Sequence, residues 1–239
     1  MKKLTIGIAT LAALMGAPAL AADMAVKARP APSPVYSWTG CYLGGNLGGG
    51  RAHTQFTFNG FVPSENEGSL NSSGLVGGGQ VGCDYQFASN FVIGVQGMFD
   101  GTAIKGIAVD PNNDGDSYPT TLHWFGTVTG RLGFLVTPSV LAYGKGGVAW
   151  VHERLDYDFP TPGVFSATAG NVTRTGWDAG AGLEWRFAPR WSVFVEYNHM
   201  DFGTKDFFYA VPPGAPGGFT ESVKQSVDTV LVGVNWRFN

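Results

Sequence analysis

The stretch Thr175-Gly-Trp-Asp-Ala-Gly-Ala-Gly-Leu-Glu-Trp-Arg-Phe187 separates two kinds of side chain by parity. Thr175, Trp177, Ala179, Ala181, Leu183, Trp185 and Phe187 form one set, and Gly176, Asp178, Gly180, Gly182, Glu184 and Arg186 form the other. A period of two belongs to a β-strand, whose side chains point alternately to its two faces. After a short Ala-Pro-Arg turn the pattern resumes, with Trp191, Val193, Val195 and Tyr197 set against Ser192, Phe194, Glu196 and Asn198. Which face meets which solvent decides between a soluble barrel and a membrane wall.

The same hairpin recurs outward from this point. Tight turns near residues 88, 137 and 188 lie about 50 residues apart, each between an apolar strand end and an apolar strand start. Between them lie longer polar stretches at 52–72, 105–121, 156–173 and 203–221, rich in Gly, Pro, Asn, Asp and Ser. Four long loops and three short turns give eight strands, expected near 39–51, 73–87, 91–104, 122–135, 140–155, 174–187, 191–202 and 222–238. The expected fold class is all-β: an eight-stranded antiparallel up-and-down transmembrane β-barrel, with short turns at one end and long loops at the other.

The polarity of the strands favours the membrane. Trp124, Gly126, Val128, Gly130, Leu132 and Phe134 oppose Phe125, Thr127, Thr129, Arg131 and Gly133, while Val230, Val232, Val234, Trp236 and Phe238 oppose Thr229, Leu231, Gly233, Asn235 and Arg237. The polar sets are small with scattered charges, which suits a narrow interior. The apolar sets end in Trp, Tyr or Phe, as an aromatic girdle at each interface requires. Thirteen residues tilted near 45° rise about 29 Å, enough for an apolar band about 25 Å tall. A soluble, lipocalin-like ligand-binding barrel would need the opposite orientation.

Targeting agrees with this orientation. Lys2 and Lys3 precede an uncharged, mostly apolar run to Leu20, and Ala19-Leu20-Ala21 is a small-x-small cleavage site. Residues 1–21 therefore read as a secretory signal peptide, 22–37 as a Pro/Ala-rich leader and 38–239 as the barrel domain. Without Lys2 and Lys3 the fifteen basic side chains fall to thirteen against eighteen acidic ones, a formal charge of −5. An acidic, Lys/Arg-poor product does not suggest nucleic acid as a partner. The thirty-six glycines have no collagen period and recur inside the alternating segments, as in strongly curved strands.

Trp38-Thr-Gly-Cys-Tyr-Leu-Gly-Gly-Asn, Gly77-Gly-Gly-Gln-Val-Gly, Gly180-Ala-Gly-Leu-Glu-Trp and the terminal Val232-Gly-Val-Asn-Trp-Arg-Phe carry a family resemblance. The chain resembles the outer-membrane immunogenic proteins, small porin-family barrels of alphaproteobacteria similar to the OmpA-type transmembrane domain. The resemblance implies a surface antigen or structural protein of the cell envelope. It also implies a last strand, with Trp236 and Phe238, that the barrel assembly machinery reads; here Asn239 follows the final aromatic. The expected partners are outer-membrane lipid and lipopolysaccharide, the barrel assembly machinery and periplasmic chaperones, with host or surface ligands at the loops.

With the apolar faces on lipid, Arg131, Lys145, Asp178, Glu184, Arg186, Glu196 and Arg237 point inward, together with Asn46, Gln80 and Gln96. Eight strands leave an interior that side chains can fill, so an ion-paired plug is expected; a narrow ion path, as in a small porin-like channel, is the alternative. Cys41 and Cys83 are equidistant from residue 62, the centre of the first loop. A cross-strand disulfide and two lipid-facing thiols both fit that placement. Asp110, Asn112, Asp114 and Gly115 imitate the opening of a calcium loop, but Thr121 cannot supply its bidentate carboxylate, and an acidic turn is the plainer reading. His53, His123, His152 and His199 lie near the loop-bearing strand ends and match no nucleophile motif, so no enzyme, cofactor or metal is expected. Phe56, Phe58, Phe61, Phe159, Phe165, Phe207, Phe208, Tyr209 and Phe219 are loop contact points or an extension of the girdle. A charge at Ala181 is expected to impair assembly far more than a small polar change at Gly180.

Overall fold

The computed structural model describes residues 37–58, 65–109, 117–157, 167–210 and 218–238. Among the described residues nine antiparallel strands form one sheet: β1 (Gly40–Phe58), β2 (Glu65–Phe87), β3 (Phe91–Thr102), β4 (Lys105–Val109), β5 (Ser117–Thr137), β6 (Val140–Tyr157), β7 (Ala167–Ala188), β8 (Trp191–Ala210) and β9 (Gly218–Phe238). The sheet closes because β1 pairs with both β2 and β9. Closure removes the free edges that would leave backbone groups unpaired in lipid.

The nine strands make eight staves. β3 and β4 are successive parts of one stave, since both pair with β2 on one side and β5 on the other. Ala103 and Ile104 interrupt it, and their backbone groups stay bonded: Ala103 N donates to Leu75 O at 2.9 Å, and Leu122 N donates to Ile104 O at 3.1 Å. The interruption is a bulge that drives Ile104 fully into the interior.

The faces are inverted relative to a soluble protein. In the stretch that opens the sequence, Trp177, Leu183 and Trp185 are each about half exposed, whereas Asp178, Glu184 and Arg186 are at most 2% exposed. The other staves follow suit: Val232 is outside and Leu231 inside, and Val128 is outside between buried Thr127 and Thr129. This orientation rules out the soluble lipocalin-like arrangement. Inward-facing glycines make room for large neighbours; a Cβ at Gly82 would meet the Tyr42 hydroxyl at 2.4 Å, and one at Gly182 would meet the Tyr143 hydroxyl at 2.6 Å.

The strands outrun the spans expected from the alternation. Much of 52–72, 105–121, 156–173 and 203–221, read as loop, is paired strand; β1 and β2 stay in register from Ala52↔Ser72 to Phe56↔Gly68. The ladder needs only backbone donors and acceptors, so polar residues continue it into water once the register is set. Past the membrane nothing demands apolar alternation, and the sequence signal stops while the strand does not. The extension includes a bulge between Asp201 and Thr204, where Gly203 adopts φ +64° and its N–H donates to Asp201 Oδ1 at 2.7 Å.

Candidate functional site in the barrel interior

Four charges meet near the turn-bearing end. Asp84 comes from β2, Arg131 from β5, Glu184 from β7 and Arg237 from β9, which are alternate staves of the ring. Acid and base therefore alternate, and each guanidinium touches both carboxylates. Arg131 lies 3.1 Å from Asp84 and 2.8 Å from Glu184, and Arg237 lies 2.9 Å from each. Glu184 also accepts from Ser192 Oγ at 2.6 Å and Asn235 Nδ2 at 3.2 Å, and Arg131 donates to the Tyr42 hydroxyl at 3.0 Å. A closed, charge-neutral quartet is the arrangement in which burial costs such ions least.

Trp38 stops the mouth beneath the quartet. It precedes β1, is fully buried, and packs with Val92, Leu135, Leu141 and Tyr143. Its N–H donates to Gln86 Oε1 at 2.9 Å and its indole Nε1 to Pro138 O at 3.1 Å. The Arg237 guanidinium lies 4.7 Å from its ring centre and the Arg186 guanidinium 5.5 Å away. Arg186 donates to Ser37 O and Pro189 O, which ties the segment before β1 to a turn.

Further in, Lys145 Nζ donates to Glu196 Oε1 at 2.7 Å and to Gln96 Oε1 at 3.3 Å, with Asp178 at 3.8 Å. Tyr143 donates to Glu196 Oε2 at 2.7 Å. A chain of amides runs from Asn46 through Gln80 to Asn235, with bonds of 2.9 and 2.8 Å. An apolar layer follows, built from Ile104, Leu122, Phe125, Met200, Phe202, Val227 and their neighbours. Beyond it Arg174 pairs with Glu153 at 3.6 Å and donates to the carbonyls of Gly203 and Val223, while Gln225 donates to Glu153. Ionic, apolar and ionic layers thus succeed one another, and their side chains are almost wholly sealed from solvent. Hollows of about 890 and 950 Å³ are open grooves in the outer wall, lined by Leu183, Trp185, Val193, Ile93, Val95 and Leu132 among others.

All seven inward charges read from the sequence are buried. Arg131, Glu184 and Arg237 join the quartet, Lys145, Asp178 and Glu196 form the next layer, and Arg186 stands apart at the mouth. Cys41 and Cys83 lie directly opposite each other, bonded as a disulfide on the outward face. Trp236 and Phe238 sit at the end of β9 with ring centres 4.5 Å apart. The four histidines face outward: His53 meets Asn71, His152 meets Thr173 and stacks on Trp124, His123 lies beside His152, and His199 meets Asp228. Phe56 turns inward and is fully buried, so it is not a loop contact point, whereas Phe208 is exposed. The signal peptide, all of the leader but Ser37, the turn Asp110 to Gly115, and Phe61, Phe159 and Phe165 lie outside the described residues.

Asp84, Tyr42, Trp38, Glu153 and Arg174 are among the interior residues that sequence reasoning did not single out, as are the buried carboxylates Asp100 and Glu221. Asp84 was within reach, because parity from Gln80 and Gly82 leads straight to it. Trp38 lies outside any strand and has no periodicity to reveal it. Glu153 and Arg174 lie where the apolar half of the pattern has faded.

A family model for the outer membrane protein β-barrel domain matches residues 8–238. The chain is 32% identical over 241 residues to the 31 kDa outer-membrane immunogenic protein of Brucella melitensis, covering 97% of this chain and 98% of that protein. It is 27% identical over 229 residues to the 25 kDa outer-membrane immunogenic protein of Brucella abortus, covering 93% and 92%. Among solved structures, OprG of Pseudomonas aeruginosa aligns with a TM-score of 0.44 at 12% identity, covering 85% of this chain and 98% of that one.

Proposed function

The chain belongs to the outer membrane protein β-barrel family and resides in the outer membrane. From that premise we propose that it is a non-enzymatic, plugged barrel that contributes to envelope structure and displays surface loops. The observation that carries the proposal is the filled interior: the Asp84–Arg131–Glu184–Arg237 quartet, the Trp38 stopper and the apolar layer around Phe125 and Phe202 succeed one another along the axis. Ion passage would require water to separate the paired charges of the quartet and to cross the apolar layer.

The rest of the proposal follows the chain. Residues 1–21 direct export and are removed, and 22–37 form a Pro/Ala-rich leader that precedes the barrel domain in the chain. Periplasmic chaperones and the assembly machinery handle the chain, the latter reading Trp236 and Phe238. The disulfide staples β1 to β2 in the oxidising periplasm. Loops at the far end, flanked by Phe207 and Phe208, offer contacts for host or neighbouring surface molecules. Single-channel recording of the refolded mature chain in planar bilayers tests the plug. Silence is expected from the wild type; stable, reproducible openings would establish the small-channel reading instead.

A further inference from the structure

The hydrogen-bonded register aligns one outward-facing row of side chains across the staves. His199 opposes Asp228, Asp228 opposes Arg51, Arg51 opposes Ser73, Ser73 opposes Lys105, Lys105 opposes Thr121 and Thr121 opposes Arg154. Their chain neighbours Ala52, Ser72, Ile104, Thr120, Glu153 and Val227 point inward. Cation and hydroxyl thus alternate as Arg51, Ser73, Lys105, Thr121 and Arg154. With staves about 4.8 Å apart, the cations recur about every 10 Å. The row stands out because the whole chain carries a formal charge of −3. Its single carboxylate, Asp228, is already engaged by His199 at 2.7 Å and by the Tyr197 hydroxyl at 2.5 Å.

The position of the row decides what it meets. Arg51 is eleven residues along from the start of β1, about 26 Å up a strand tilted near 45°, at the outer limit of an apolar band about 25 Å tall. The next outward positions toward the turns are Gly49, Leu75 and Val230, of which Leu75 and Val230 are more than half exposed. Gly49, Leu75, Val230 and Tyr197 below, with Arg51, Ser73 and Asp228 above, line an open groove of about 600 Å³. The groove is apolar below and polar above, where Arg51 faces Asp228 and the next cation of the row, Lys105, lies one strand beyond Ser73; an acyl chain with a phosphate at its head has the same division.

We propose that the Arg51–Ser73–Lys105 row binds the phosphates of a phosphorylated glycolipid of the outer leaflet, with an acyl chain lying in the groove between β9, β1 and β2. This rests on the outer-membrane reading and specifies a lipid site within it. Arg51 and Lys105 supply charge-assisted hydrogen bonds, Ser73 supplies a hydroxyl between them, and the lipid seats the barrel at a fixed depth.

The test uses the full mature chain refolded in detergent, titrated with diphosphoryl lipid A and followed by native mass spectrometry. Arg51→Gln with Lys105→Gln is expected to weaken binding at least about tenfold. Lys205→Gln, an exposed change of one charge outside the row, is expected to leave it within about twofold. Dephosphorylated lipid A should bind the wild type and the double variant alike. Equal affinity of wild type and double variant for diphosphoryl lipid A overturns the proposal, as does an equal loss in Lys205→Gln. Each preparation is also run unheated and heated on a gel, and the wild type is fractionated from cells. Unchanged affinity in a heat-modifiable variant sinks only the lipid site, whereas recovery of the wild type outside the outer membrane sinks the parent reading.

Discussion

Glu184→Gln is the substitution that most directly interrogates the interior. Every neighbour of this carboxylate is a donor: Arg131, Arg237, Ser192 and Asn235 all give hydrogens to its two oxygens. A glutamine has one acceptor oxygen, and its amide group must face donors with another donor. Two of the four contacts of the quartet lose their charge, and two guanidiniums are left to share Asp84. A hydrogen bond to a charged group is worth about 1.5–3 kcal/mol. Breaking a buried pair on one side costs about 3–5 kcal/mol, and that is the expected loss for Glu184→Gln. Urea unfolding of the refolded protein in lipid vesicles, read by tryptophan fluorescence, measures it. Combining Glu184→Gln with Arg237→Gln leaves a neutral Asp84–Arg131 pair, so the double variant should lose less than the two single losses added together, by at least about 1 kcal/mol. A Glu184→Gln protein within about 1 kcal/mol of wild type would refute a dry, closed quartet and indicate that water solvates these ions.

Other perturbations follow from the same geometry. Trp38→Ala should cost about 3–5 kcal/mol in the same unfolding assay, since it removes a fully buried ring and the indole bond to the Pro138 carbonyl, while the backbone bond to Gln86 stays. Ala181→Arg puts a charge on the outward face near mid-membrane and should cost about 2–4 kcal/mol, seen as less heat-modifiable protein after refolding. Gly180→Ser, however, is not the mild control its polarity suggests. A Cβ there would lie 2.6 Å from the Tyr197 carbonyl oxygen and 2.7 Å from Asn198 Oδ1, so it too should lower the refolded yield. Cys41→Ser with Cys83→Ser should lose about 4 kcal/mol on the loop-closure estimate for the 42-residue separation, with the unfolding midpoint insensitive to reductant only in the variant.

Parity made much of this molecule legible. Within the membrane each stave must show lipid one face and a narrow interior the other, so Trp177 and Asp178 declare their sides by identity alone. Seven buried charges could be named that way, and the centring of Cys41 and Cys83 on residue 62 matches a register that holds from Gly40↔Asp84 to Phe56↔Gly68. Two things escaped. Strand ends beyond the bilayer, such as 65–72 and 167–173, lack the apolar alternation of the membrane segments and read as loop although their backbones pair. The partners of the interior charges also escaped, because parity gives the direction of a side chain but not its height along the axis. Asp84 and Arg237 are 153 residues apart and meet only because the ring is closed.

That meeting has a consequence for how the protein is made. Residues 84, 131, 184 and 237 bring the quartet one charge per hairpin, in the order negative, positive, negative, positive. Until β9 joins β1, Arg237 has no place beside Asp84, and the unfinished wall carries a lone carboxylate toward its hollow side. A half-built barrel is therefore electrically unbalanced as well as unpaired along its edges. The final strand delivers the last ladder and the last counter-ion of the quartet together, so joining the seam and neutralising the quartet are one event. A chain ending before residue 237 would have a wall to close and nothing to lock it with.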